Sequence, residues 1–81
     1  MHDTFLFSRL ADSLSFLCKE NKIKRIDKLV IIVHKNSHIN EKNMYDYLNK
    51  HTNLINDNTK IIIKREEIEE LTAVIESVEG N

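Results

Sequence analysis

Proline is absent from this chain, glycine and cysteine occur once each, and only 6% of the residues are aromatic. Each shortage closes off a class of explanation. A lone cysteine, Cys18, forms no internal disulfide, and with no Cys-x-x-Cys pair in the chain no structural zinc is expected. A lone glycine, Gly80, excludes the glycine-rich loop that cradles a nucleotide phosphate. Without proline, low-complexity stretches or internal repeats nothing marks a boundary, and 81 residues are too few for two cores, so residues 1–81 read as a single domain. A domain of this size buries only about 60–65% of its unfolded surface, so its stability is expected to be modest unless it dimerises or binds something.

A surplus of one charge is missing too. Twelve Lys and Arg stand against 13 Asp and Glu, which leaves no electrostatic footprint for nucleic acid or for an anionic membrane surface. The charges are segregated: Lys19, Lys22, Lys24, Arg25 and Lys28 lie in the first half, and Glu66, Glu67, Glu69, Glu70, Glu76 and Glu79 crowd the end, as on the solvated faces of two elements. No apolar run approaches the roughly 20 residues of a membrane span. The acidic Asp3 stands where a signal peptide would be basic, and the expected location is cytoplasmic. No serine or cysteine nucleophile sits in a recognisable turn and no carboxylate pair lies in an apolar setting, so no catalytic residue is assigned and the chain is not read as an enzyme.

What is present is clear periodicity. Leu6, Phe7, Leu10, Ala11, Leu14, Leu17 and Cys18 recur at three- and four-residue steps, predicting an amphipathic helix over Thr4 to Glu20 with Cys18 as a buried thiol. Asp3 or Thr4 is placed to cap it. Leu29-Val30-Ile31-Ile32-Val33 is β-branched and too short and continuous for a surface helix, and reads as a central strand within Arg25 to His34. A second helix is predicted from Glu41 to about His51 behind an Asn40 cap, and a second strand from Thr59 to Lys64. The tail reads two ways: Ile68, Leu71, Ile75 and Val78 follow a helical period with Gly80 as a stop, yet Leu71, Ala73 and Ile75 alternate as in a strand. Periodicity alone favours the helix. The fold class is α+β, a small two-layer domain with two helices on a two- or three-stranded sheet, in the order α-β-α-β followed by a strand or helix.

The first three residues carry the most specific chemistry. A bulky second residue usually prevents removal of the initiator methionine, so Met1 is expected to keep a free amine with a pKa of about 7.7–8.0. That amine, the backbone nitrogen of His2 and its imidazole close two fused chelate rings, and Asp3 adds a carboxylate or its amide nitrogen. Nitrogen-rich, square-planar donor sets favour Ni(II) or Cu(II) over zinc, and binding that requires amide deprotonation is pH-dependent. The plainer alternative is an ordinary exposed His2. His34 and His38, four apart in a predicted loop, are secondary metal candidates, and their plainer reading is two exposed histidines. His51 closes the second helix, where an imidazolium suits the helix dipole.

The opening Met1-His2-Asp3, the element order, and Lys24-Arg25-Ile26-Asp27-Lys28 leading into Leu29-Val30-Ile31 resemble the HypA family of nickel-incorporation metallochaperones for hydrogenase and urease. Ser37, Ile39, Met44 and Leu48 also fall where that family has a Ser, an apolar residue and the apolar face of its second helix. The similarity covers roughly residues 1–64. It implies a Ni(II)-binding α+β domain whose ligands are Met1 and His2, with Asp3 in place of the family's Glu. It further implies a protein partner, a GTPase of the HypB type or another hydrogenase or urease maturation factor. The family's zinc domain is missing, because Arg65 to Leu71 carries no cysteine. Leu71 to Glu79 would then be the family's final strand, hairpinned directly to Thr59–Lys64. Where the family has Gly-Glu after its first strand, this chain has His34-Lys35. These departures support a second expectation, a metal-free interaction or regulatory module that kept the fold and binds a protein partner through the second helix or the edge strand, or forms a dimer with a second copy of itself.

Overall fold

The computed structural model describes residues 4–81. Its elements are α1 (Thr4–Glu20), β1 (Ile26–His34), α2 (Glu41–His51), β2 (Lys60–Glu66) and β3 (Ala73–Gly80). The three strands form one mixed sheet in the order β2-β1-β3, with β2 parallel and β3 antiparallel to the central β1. Both helices pack on one face of this sheet, α1 toward β3 and α2 toward β2, so the architecture is the two-layer α+β domain expected.

Local chemistry sets the element ends. The chain leaves α1 through a Schellman turn: Ile23 N–H donates to Cys18 O and Lys22 N–H to Lys19 O, with Lys22 in the left-handed region at φ 58°. Helix α2 starts on a reciprocal cap, the Asn40 side chain accepting from Asn43 N–H and the Asn43 side chain from Asn40 N–H. The Thr59 hydroxyl donates to Ile26 O, so its side chain closes the turn and β2 begins at Lys60 rather than Thr59. Its other end runs on to Glu66. There the Arg65 guanidinium donates to the carbonyls of Ser37 and Ile39 and pins the loop that precedes α2.

The core lies between the layers: Leu10, Ala11, Leu14 and Cys18 of α1, Ile39, Met44 and Leu48 in and before α2, and Ile26, Leu29, Ile31 and Val33 of β1. Ile26 and Leu29 are three apart and would face opposite sides of a regular strand. A bulge at Asp27, where Ile26 pairs with Gly80 but Lys28 with Glu79, brings both inward. The same device acts in β3. Leu29 pairs with Val78 and Ile31 with Ile75, leaving Glu76 as the extra residue, so Ile75 and Val78 both face the core.

That bulge corrects the helical reading of the tail. A three-residue step from Ile75 to Val78 imitates a helix, but the residues belong to a strand with one residue inserted. Gly80 is therefore not a helix stop. It pairs with Ile26 at the close of β3, where a Cβ would lie 2.0 Å from Arg25 O. The hairpin between the last two strands is corrected as well, since β3 passes β2 and pairs on the far side of β1. The continuous apolar run of β1 can be bonded on both edges, whereas the β2 edge is already met by Glu41, whose carboxylate accepts from Ile63 N–H.

Candidate functional site at the carboxyl end of the parallel strands

Because α1 runs antiparallel to β1, the start of α1, the end of β1, the start of α2, the end of β2 and the start of β3 gather at one end of the molecule. A depression of about 200 Å³ opens there, lined by Leu6 of α1, His34 at the end of β1, Asn36, Ser37 and His38 of the following loop, and Glu70 and Leu71 before β3. Carboxyl ends of parallel strands are where open α/β sheets bind ligands, because the loops diverge there and leave a crevice. Next to His34, Lys35 ties this end to the chain leaving β2, its ammonium 2.7 Å from the Glu67 carboxylate and its backbone N–H donating to Glu66 O.

The two histidines of the predicted pair thus share one surface feature, but they are not equivalent. His34 Nδ1 accepts a 3.0 Å hydrogen bond from Asn36 N–H. A neutral imidazole that binds a metal through Nε2 carries its proton on Nδ1, which would oppose that N–H. Ligation by His34 therefore costs the Asn36 bond. The exposed His38 has its backbone carbonyl held by the Asn43 side chain. Among the described residues no group of three or more His, Cys, Asp or Glu is placed to hold a metal ion, so this pair does not make a complete metal centre by itself. The expected nickel ligands Met1, His2 and Asp3 lie outside the described residues. Thr4 opens α1 directly after them, and three residues span at most about 11 Å.

His51 is placed as the sequence reading has it, at the last position of α2. Its ring stacks on Tyr47 at 4.1 Å, and Tyr47 in turn on Phe7 of α1 at 5.1 Å, so its aromatic role is to join the helices. Cys18 is buried in the core, and burial pushes its thiol pKa up, which suppresses the reactive thiolate. Glu70, read from the sequence as part of a solvated face, lines the depression beside the histidines. Only the position of β3 reveals this, because the loop must return to the end of β1 before β3 can start.

A second, larger groove of about 420 Å³ runs between α1 and the start of β3, past Leu6, Arg9, Leu10, Leu71 and Ala73. It is mainly apolar and holds no metal-ligating pair. No described helix is long and apolar enough to cross a membrane. Comparison with protein-family models, curated proteins and solved structures finds no match to this chain.

Proposed function

We propose that this chain holds a divalent late transition metal, Ni(II) first, at its amino-terminal end, as a small metallochaperone-like protein similar to the HypA family but without its zinc domain. Met1 and His2 supply the amine, amide and imidazole nitrogens and Asp3 the carboxylate. His38 is the preferred additional ligand, with His34 available only at the cost of its Asn36 bond. The observation that carries this reading is convergence: the first turn of α1 and both histidines border one depression at the carboxyl end of β1 and β2. On this reading the metal is cargo, passed toward a hydrogenase or urease with a GTPase of the HypB type as partner.

The test is calorimetric titration of Ni(II) and Zn(II) into untagged protein whose chain begins at Met1, together with His2→Ala and His38→Ala. Micromolar or tighter nickel binding, abolished by His2→Ala and weakened by His38→Ala, supports the assignment. Binding that survives His2→Ala removes the amino-terminal site, and absence of binding by a folded protein overturns the metal reading altogether. In that event the second reading stands, a metal-free interaction module, favoured by a sheet face that no described element covers.

A further inference from the structure

We propose that the open face of the sheet is the interface of a homodimer, in which two copies stack sheet against sheet about a twofold axis parallel to β1. Alternation and the two bulges put Leu29, Ile31, Val33, Ile61, Ile63, Ala73, Ile75 and Val78 under the helices. The opposite face then carries Val30 and Ile32 of β1, Ile62 of β2 and Val74 of β3. Among the described residues, no element packs on this side. Val74 is 47% exposed there, while Val30, at 6%, is nearly shut off from water without any second layer above it. Lys64 of β2 and Glu76 of β3 form an ion pair of 2.8 Å, which must cross the central strand to close. Glu76 directly follows the core-facing Ile75, so its carboxylate falls on the open face.

The occupant follows from the charge pattern. Lys60 and Lys64 stand on the β2 side of the apolar strip, with Glu66 beyond them at the strand end, Glu76 and Glu79 stand on the β3 side, and Lys28 of β1 lies between Lys60 and Glu79. The face is thus mainly cationic along one edge and anionic along the other. A twofold axis along β1 exchanges the two sides, laying β2 of one copy over β3 of its partner. Lysines then face glutamates in both halves, and the Lys64–Glu76 pairs lie at the centre over the apolar residues of β1. An axis across the strands would set β2 over β2 and pair like charges, which is disfavoured. Lys60 and Lys64 then each meet a glutamate on both sides while Lys28, near the axis, meets its own copy, so four facing pairs attract against one that repels and a second copy is the partner favoured, as an isologous patch must match itself. Three strands of this length present about 400–500 Å² per copy. A total near 1,000 Å² lies at the lower end of specific interfaces, so the dimer is expected to be of micromolar strength rather than obligate.

Sedimentation of the whole chain from about 5 µM to about 1 mM tests this, with Lys64→Glu, Glu76→Lys and the double exchange. The wild type is expected to pass from monomer to dimer across that range. Each single reversal removes the attraction on both sides of the twofold and should weaken association at least about tenfold. The double exchange, and an equimolar mixture of the two single variants, should restore it, since each places opposite charges across the interface again. Circular dichroism confirms that the variants fold. A wild type that stays monomeric at the highest concentration overturns the proposal and leaves the face to a partner of another kind. A dimer indifferent to both reversals overturns it equally, because the contact is then elsewhere.

Discussion

Replacing Gly80 by alanine should unlatch the end of the sheet. An ideal Cβ at this position lies 2.0 Å from Arg25 O and 3.0 Å from both Arg25 C and Ile23 Cγ2. A carbon approaches a carbonyl oxygen no nearer than about 3.3 Å, so the strands must part by more than about 1 Å. The atom in the way is backbone and cannot rotate aside. Three hydrogen bonds close the same corner: Asn81 N–H on Arg25 O at 3.1 Å, and Lys24 N–H and Arg25 N–H on Asn81 O at 2.9 Å each. Parting by that distance carries all three beyond bonding range.

At about 0.5–1.5 kcal/mol net per bond the loss is about 1.5–4.5 kcal/mol. Lys24, Arg25 and Asn81 are exposed, so water can satisfy the freed groups, and the lower half of that range applies. Against a total of about 4–12 kcal/mol for a domain of this size, a loss near 2 kcal/mol lowers the melting temperature by about 10 °C or more. Thermal and urea unfolding at one fixed protein concentration measure it, with two controls. Deleting residues 80–81 removes the same bonds without the clash, and should cost about as much as Gly80→Ala. Asp12→Ala, an exposed side chain of α1 away from the sheet end, should stay within about 0.5 kcal/mol. A Gly80→Ala protein that melts within about 2 °C of wild type would refute the placement of Gly80 against Arg25.

Two exposed residues occupy the left-handed region, Lys22 at φ 58° and Leu71 at φ 62°. Lys22→Gly and Leu71→Gly should each be neutral to stabilising by up to about 1 kcal/mol in urea unfolding, since glycine relieves the steric cost of that conformation. A loss above about 1 kcal/mol would contradict those backbone angles. The pH dependence has a definite sign. Burial raises the Cys18 pKa above its ordinary 9.0, the hydrogen bond to Asp57 raises that of Tyr45 above 10.0, and the hydrogen bond to Glu76 raises that of Lys64 above 10.5. A folded-state pKa above the unfolded value means stability that is intact below the unfolded pKa and lost as pH rises through the folded one. The fold should therefore weaken progressively above about pH 9, and Cys18→Ala should lack the first part of the decline. A stability profile flat to pH 11 would falsify this.

The parts of the fold that were legible in the sequence are those where side-chain period and backbone geometry agree. Helix α1 repeats an apolar residue every three or four positions without interruption, and α2 opens on an asparagine, a residue type favoured as a helix cap. The β1 run could be read as central because nothing polar interrupts Leu29 to Val33, a pattern that suits a strand bonded on both edges. The tail was illegible for a definite reason. A β-bulge inserts one residue, converts a two-residue period into a three-residue step, and makes Ile75 and Val78 look helical. Nothing in residues 66–79 alone distinguishes the two, because the discriminating fact is the partner strand, which the local sequence does not contain. The candidate site divides the same way. His34 and His38 were visible by spacing, whereas the Asn36 bond that separates their chemistry, and Glu70 beside them, arise from tertiary placement.

The two proposals occupy different parts of the same sheet, and this makes them separable. The depression with His34 and His38 lies off the carboxyl ends of β1 and β2, whereas the charge-patterned face is centred on Val30 and Ile32, near the middle of β1. Stacking two copies about an axis parallel to β1 keeps the strands of both running the same way, so both depressions would open at the same end of the dimer. A dimer would thus present two amino-terminal metal sites side by side rather than bury either. Lys64→Glu and Glu76→Lys should accordingly dissociate the dimer while leaving the stoichiometry of nickel per chain unchanged. His2→Ala should abolish nickel binding while leaving sedimentation unchanged. If instead nickel binding falls with the dimer, a site built from one chain alone is overturned.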